Sequence, residues 1–234
     1  LPTYVFIHGS CGNASSWTAM QREMALRGHR TLAVDLPGRG AGFSHAYQTQ
    51  DLATFAAEPS PLENVTGPDV VNHVVDIVRR AREHGPVILA AHSLGGLTLT
   101  GVANEIPGLL DRIVYIAAQC PVTKSAAEYI TGPEWGTTDL FPATMPIIMG
   151  DPAQRGFIRL NWRTTDPTVL AGLKKAFSIT DDDQLVRMLN EMQPDEWFWQ
   201  TNPTFDFRAA KDTWGRVPHT FIRLADDKSM PLPA

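Results

Sequence analysis

The 234-residue sequence has little of several features that mark common protein classes. Its two cysteines are too few for a disulfide framework, which favours a cytoplasmic protein. The formal net charge is −5, and no run of lysines or arginines suggests binding to nucleic acid or to an anionic membrane. No apolar run approaches the roughly 20 residues that a membrane helix needs. Because no histidines, cysteines and carboxylates have metal-ligand spacing, we also expect no metal.

The order of the apolar segments predicts an α/β fold. Short and nearly continuous apolar runs, typical of strands buried on both faces, alternate with segments of helical periodicity. The predicted strands are residues 4–8, 30–35, 87–91, 112–118 and, much later, 218–224. The predicted helices among them are residues 16–27, 68–84 and 94–105. This alternation indicates a mostly parallel sheet with helices on both faces.

The rhythm breaks between about residues 120 and 208. Two amphipathic helices are predicted there, near residues 167–177 and 181–193, and Thr180 and Asp183 are placed like a capping box for the second. One interpretation is a helical cap inserted between strands, and the other is a further set of core helices. On the first interpretation the predicted parts are a core over 1–119, a cap insertion over 120–208 and a return to the core over 209–234.

The sharpest chemical signal is a serine between a predicted strand and a predicted helix, in Ala91-His92-Ser93-Leu94-Gly95. The small residues Ala91 and Gly95 fit a nucleophile elbow, a tight turn whose crowded backbone excludes bulky neighbours. On such a turn the Ser93 hydroxyl projects above the strand end, and N–H groups of the helix N-terminus face a developing oxyanion. A helix N-cap serine without chemistry is the alternative, and the motif alone does not decide between them.

A glycine-containing loop, His8-Gly9-Ser10-Cys11-Gly12, follows the first predicted strand. Such a loop can aim a second backbone N–H, that of Ser10, at the same oxyanion, although a plain strand-to-helix turn is the alternative. Asp35 lies about where the ribose-binding acid of a dinucleotide site would lie. However, the loop lacks the G-x-G-x-x-G spacing, and no tyrosine is followed by lysine four positions later. The sequence therefore argues against a nucleotide-dependent oxidoreductase, and we expect no cofactor.

These motifs together resemble a known family. His8-Gly9-Ser10, the DLPGRG stretch at residues 35–40, His92-Ser93-Leu94-Gly95-Gly96 and Asp227-Lys228 fall in the order of the α/β-hydrolase fold. The chain resembles the branch that contains plant methylesterases, hydroxynitrile lyases and actinobacterial relatives. The resemblance covers essentially the whole chain and is weakest across the cap.

The resemblance implies a role for each matching residue. Ser93 matches the nucleophile, and the backbone N–H groups of Ser10 and Leu94 match the oxyanion hole. Asp227, followed by a lysine as in the family, matches the triad acid. Asp226 is the second candidate for the triad acid. The alternative for Asp226 is an exposed carboxylate of the turn without a catalytic role.

The resemblance also implies a catalytic histidine after Asp227, but none of the seven histidines follows it. His92 adjoins Ser93, yet neighbouring residues on an elbow point apart, and His8 is expected to support the loop after the first strand. A parallel sheet ending at residues 218–224 would leave an exposed edge, which proteins normally cover. We therefore expect the native chain to continue past Ala234 with one strand, a histidine loop and a final helix.

The substrate pocket is predicted to include Cys11, Cys120 and Trp135. Both cysteines follow predicted strands at their carboxyl ends, where α/β sites are built. A small buried apolar side chain is the alternative for a cysteine. Trp135 and the other aromatic and apolar residues of the cap fit a pocket or a cap core equally well; the others are Trp162, Trp197, Trp199, Phe141 and Met145.

The sequence therefore predicts a cofactor-free serine hydrolase that acts on a small molecule with an acyl group. It would cleave an ester, thioester or lactone through an acyl-enzyme on Ser93. A lyase or cyclase on the same scaffold is one alternative, and a binding protein with an idle triad is another, because a fold alone does not fix chemistry.

Overall fold

The computed structural model describes residues 1–197, 204 and 206–230. The main sheet has five parallel strands in the order β2-β1-β3-β4-β7. These strands are β1 (Thr3–Ile7), β2 (Arg30–Val34), β3 (Val87–Ser93), β4 (Arg112–Ala118) and β7 (His219–Ile222). All five correspond to predicted strands, and β3 extends two residues beyond its prediction, to Ser93 itself.

Helices cover both faces of this sheet. The helices before β4 are α1 (Thr18–Leu26), α2 (His45–Thr49), α3 (Leu52–Ala57), α4 (Gly67–Arg82) and α5 (Gly95–Glu105). Alternate side chains of β1 point to opposite faces, so Val5 and Ile7 join the core with α4 and α5, whereas Phe6 packs with Trp17 and α1. The predicted α/β architecture of a parallel sheet between helical layers is therefore confirmed.

The segment between β4 and β7 carries its own apolar core. Its elements are α6 (Ala126–Ile130), α7 (Leu140–Thr144), α8 (Pro152–Arg155), β5 (Phe157–Arg159), α9 (Pro167–Ala176), α10 (Asp182–Glu191) and β6 (Asp195–Trp197). Leu173 and Leu189 are buried in this second core. The helices α9 and α10 match their predictions, but the N-cap of α10 is Asp181, which accepts a hydrogen bond from the Gln184 amide, and not Thr180. The division at residues 120 and 208 stays a prediction.

The two-stranded antiparallel sheet of β5 and β6, here called the β5–β6 sheet, has no counterpart among the sequence predictions. Phe157 pairs with Trp197 and Arg159 pairs with Asp195, although α9 and α10 separate the two strands in the sequence. Strands of three residues are too short to show an alternating pattern in the sequence. The β5–β6 sheet matters for the site because β6 lies against the loop that follows β1.

In the described part of the chain, no helix combines the length and the apolar character that crossing a membrane requires.

Candidate active site

Ser93 lies in the turn between β3 and α5. Its φ angle is +52°, in the left-handed region that residues other than glycine rarely adopt. The register with β4 shifts between His92 and Ser93, and the Ser93 carbonyl accepts a hydrogen bond from the Gln119 amide at 3.0 Å. The N-cap position of α5 is occupied by Leu94 without a side-chain hydrogen bond, so Ser93 is not an N-cap residue. A strained residue fixed in this way is typical of a functional turn.

Two glycines allow this turn to approach its neighbours closely. A Cβ atom on Gly95 would overlap the His8 carbonyl oxygen, and one on Gly96 would overlap the Gln119 carbonyl oxygen. Both obstacles are backbone atoms, which cannot rotate away as a side chain can. The small residues of the motif are therefore explained by contacts of α5 with the ends of β1 and β4.

We expect Gly96→Ala to lower the free energy of unfolding by about 3 kcal/mol, because the added methyl group overpacks a backbone contact. Gly108→Ala is the matched control, since a Cβ atom there meets nothing within 4 Å. Urea unfolding followed by tryptophan fluorescence measures both. Equal stability of the two variants would contradict the close approach.

The loop of residues 9–12 after β1, here called the β1 loop, touches the serine turn. A Cβ atom on Gly9 would lie 2.9 Å from the Ser93 Cβ and 3.1 Å from the His92 Nδ1 atom. The structure thus places Gly9, the neighbour of the predicted oxyanion donor Ser10, against the predicted nucleophile Ser93. The roles of Ser93, Ser10 and Leu94 stay predictions.

The His8 ring holds the start of the β1 loop in place through hydrogen bonds. Its Nε2 atom accepts from the Leu36 amide at 3.3 Å and its Nδ1 atom donates to the Gly9 carbonyl at 2.9 Å, because an amide only donates and a carbonyl only accepts. Burial, followed by the charge of Arg39, lowers the pKa of His8 to about 4. The ring is therefore a neutral structural support near pH 7, as predicted, with neither nitrogen free to act as a base.

Cys11 is the strained residue of the β1 loop. Its φ angle is +53° and its side chain packs into the core that contains α9 and α10. Burial, followed by the carboxylate of Glu196, raises the pKa of the Cys11 thiol to about 12. The thiol is therefore protonated near pH 7, and the reactive species of a cysteine nucleophile is the thiolate.

Two buried ion pairs fix strand β6 against the core, and sequence reasoning missed both. Arg39 Nη2 lies 2.6 Å from Glu196 Oε1, with both side chains at most 4% exposed. The preceding residue, Asp195, receives two hydrogen bonds of 2.7 Å from the Arg159 guanidinium. Buried charges are rarely found unpaired, so an arginine in the DLPGRG stretch was the one available signal that an acidic partner exists.

Asp227 lies in the loop after β7 and is half-buried. Its Oδ1 atom accepts from the amides of Ser229 and Met230 at 2.8 and 2.9 Å. Surrounding protein atoms lower the pKa of His92 by desolvation, although the residue is partly exposed, and the charge of Asp227 opposes that shift. The Asp227 carboxylate therefore acts electrostatically on the residue next to Ser93. Asp226, by contrast, is exposed.

Trp135 belongs to a turn that holds the Asp227 loop. It is buried and stacks on Phe141, with ring centroids 5.6 Å apart. The adjacent Asp139 amide donates to the Lys228 carbonyl at 2.9 Å, and the Thr138 hydroxyl donates to the Ser229 carbonyl at 2.7 Å. Trp135 therefore lies in a segment that contacts the loop of the predicted acid, at Lys228 and Ser229.

The remaining predicted pocket residues lie in different surroundings. Cys120 lies beside the Tyr115 hydroxyl and Thr100, and burial raises the pKa of its thiol. Trp162 is buried in the second core and donates to the Gln193 carbonyl at 3.0 Å, whereas Met145 is 64% exposed. Trp199 lies outside the described residues. The predicted pocket roles of Cys11 and Cys120 stay predictions.

A small cavity lies next to the serine turn. It is bounded by Gly9 of the β1 loop, by Leu94 and Gly95 at the start of α5, and by Glu196 and Trp197 of β6. Across the described ranges, no three histidine, cysteine or carboxylate side chains are grouped to hold a metal ion.

The profile of the alpha/beta hydrolase family matches residues 4–233, which is nearly the whole chain. This chain belongs to the alpha/beta hydrolase family. Among curated members, Methylesterase 7 from Arabidopsis thaliana is 23% identical over 98% of this chain and 80% of its own length. The Pyrethroid hydrolase of Sphingobium wenxiniae is 26% identical over 97% of this chain and 72% of its own length.

Solved structures of other alpha/beta hydrolases share the fold. Polyneuridine aldehyde esterase superposes with a TM-score of 0.72 at 19% identity, covering 99% of this chain and 83% of that one. The resemblance to the branch with plant methylesterases, predicted from the motifs, is confirmed by these relatives.

Proposed function

We propose that this alpha/beta hydrolase cleaves an ester, thioester or lactone of a small molecule through an acyl-enzyme on Ser93. The observation that carries the proposal is the left-handed turn at Ser93, packed against the β1 loop, with the charge of Asp227 acting on the adjacent His92. The names of the relatives, methylesterase and pyrethroid hydrolase, support ester hydrolysis as the general class of reaction.

In the proposed reaction, Ser93 Oγ bonds to the substrate carbonyl carbon while its proton passes to a base that Asp227 orients. The backbone N–H groups of Ser10 and Leu94 donate to the oxyanion. The protonated base then gives its proton to the departing alcohol or thiol, and water releases the acyl group by the reverse path. Among the described residues, no histidine hydrogen-bonds to the Ser93 hydroxyl, so the groups that this proposal assigns are Ser93, Asp227 and the two amides.

Trp135 is the proposed contact for the substrate. Residues of the same segment, Thr138 and Asp139, hydrogen-bond to the loop that carries Asp227, which supports a place for Trp135 on the substrate side. An aromatic wall at this place would suit an apolar acyl or alcohol group.

A fluorophosphonate probe tests the proposal, because it phosphonylates an activated serine. We expect one label, mapped to Ser93 by mass spectrometry, together with turnover in a panel of p-nitrophenyl esters, thioesters and lactones. A burst of p-nitrophenol in the first turnover would support an acyl-enzyme over lyase chemistry. No label and no turnover across the panel would contradict the proposal and favour a binding protein.

A further inference from the structure

The side chain of Glu196 on β6 is a shared acceptor for groups that come from three parts of the chain. Its Oε2 atom accepts from the Ser10 hydroxyl at 2.9 Å and from the Cys11 amide, both in the β1 loop. Its Oε1 atom pairs with Arg39 at 2.6 Å and accepts from the Trp197 amide at 2.8 Å. The two oxygens of the Glu196 carboxylate thus connect the β1 loop to strand β6.

The β1 loop needs such external support because its own backbone is strained. Cys11 has a positive φ angle without being glycine, a conformation that persists only when surrounding contacts hold it. Strand β6 and the residues just before it hold both backbone polar groups of Cys11. Glu196 accepts from the Cys11 amide, and the Cys11 carbonyl accepts from the Gln193 amide at 2.7 Å. Within the loop itself, a single turn hydrogen bond of 3.1 Å joins the Gly12 amide to the Gly9 carbonyl.

The ion pair with Arg39 explains why a carboxylate can be buried at position 196. A buried carboxylate with three neutral donors alone would be costly to desolvate, and the guanidinium offsets that cost. Arg39 also stacks over the Trp197 ring at 4.9 Å and donates to the Asp195 carbonyl, so it fixes the carboxylate and the strand beneath it together.

We propose that Glu196, held by Arg39, is a positioning residue that fixes the β1 loop so that the Ser10 amide points at the oxyanion. Its catalytic consequence rests on the proposed function, whereas its structural part does not. Glu196 orients the donor through Ser10 and Cys11 and does not touch the reacting atoms.

The first measurement is hydrogen–deuterium exchange of the peptide that covers the β1 loop, in wild type and in Glu196→Gln. Glutamine keeps the volume and one acceptor oxygen but loses the ion pair with Arg39. We expect exchange in the loop to rise by about tenfold or more, because a local opening becomes easier. Ser10→Ala, at an exposed position that tolerates substitution, removes only the hydroxyl contact and should give a smaller rise in the same peptide.

The second measurement is the hydrolysis of p-nitrophenyl acetate. We expect Glu196→Gln to lower kcat by about 10- to 100-fold with KM nearly unchanged, because misplacement of a transition-state donor by about 1 Å has that scale of effect. A merely structural role would lower the melting temperature without separating kcat from KM.

Asp195→Asn is the matched control. It weakens the other buried ion pair of the same strand, with Arg159, on the face turned away from the β1 loop. It should lower the melting temperature while loop exchange and kcat stay near wild type.

The outcomes separate the two proposals. Wild-type exchange in Glu196→Gln, or equal loop exchange in Asp195→Asn, would overturn the positioning role, as would raised exchange with wild-type kcat. If wild type itself has no serine-dependent hydrolysis, the proposed function fails, and loop exchange alone still decides whether Glu196 anchors the loop. If Glu196→Gln fails to fold, hydrogen–deuterium exchange of the β1 loop in Ser10→Ala, which lacks one contact to Glu196, decides whether Glu196 anchors the loop.

Discussion

Ser93→Ala is expected to abolish fluorophosphonate labelling and to lower ester turnover by about 10⁴- to 10⁶-fold, the range seen when a triad nucleophile is removed. The expectation follows from the elbow geometry, because no other hydroxyl among the described residues combines a strained left-handed turn with contact to the β1 loop. Binding and the backbone donors would remain, so a small residual rate above that of water is also expected.

Ser178→Ala is a close control for this substitution. Ser178 also has a positive φ angle, +54°, but follows α9, away from the serine turn. Both variants therefore replace a left-handed serine by alanine, and both should fold with similar melting temperatures. Only Ser93→Ala should lose label and turnover. Persistent labelling mapped to Cys11 or Cys120 would show that the nucleophile has been assigned to the wrong residue.

The sheet could be predicted because its information is local. The strands of the main sheet are short apolar runs, and the serine turn is marked by small residues that adjoin Ser93 in the sequence. The apolar run predicted as a strand ends at Ala91, and the polar residues His92 and Ser93 that follow are not typical of a buried strand. Pairing with β4 nonetheless extends β3 to the serine, a contact between chain segments that periodicity does not show.

The support of the β1 loop could not be predicted for the same physical reason. Glu196 lies 185 positions from Cys11 in the sequence, and the strand that carries it has three residues. No local pattern distinguishes its carboxylate from the many solvated acids of the chain. The sequence shows Arg39 in the DLPGRG stretch, but not its burial. That burial follows from packing against β6, a strand that was not predicted.

Likewise, Cys11 follows a strand at the carboxyl end of the sheet, which is why the sequence suggests a pocket residue. The positive φ angle of Cys11 turns its side chain into the core with α9 and α10. The backbone conformation of this one loop residue directs its side chain, and the role of Cys11 in the pocket stays a prediction. Glycines on either side, Gly9 and Gly12, gave no sign of which residue would adopt that conformation.

Asp227→Asn is expected to lower kcat by about 10³- to 10⁴-fold, whereas Asp226→Asn should leave it near wild type. Asp227 Oδ1 is occupied by the amides of Ser229 and Met230, and asparagine can keep both of these hydrogen bonds through its own oxygen. The substitution therefore preserves the loop and removes only the negative charge. That charge is what would orient the base and stabilise its protonated form during attack by Ser93.

The pair of variants separates catalysis from loop structure. Asp226 is the exposed neighbour in the same turn, so Asp226→Asn makes the same chemical change without the two amide contacts. Steady-state hydrolysis of p-nitrophenyl acetate and thermal unfolding would be measured for both. A third variant, Asp227→Ala, should lose stability as well as activity, since the turn then has no acceptor for the Ser229 and Met230 amides. Equal losses of kcat in Asp226→Asn and Asp227→Asn would contradict the assignment, because an effect shared by an exposed and a half-buried carboxylate reflects the net charge of the loop and not a specific partner.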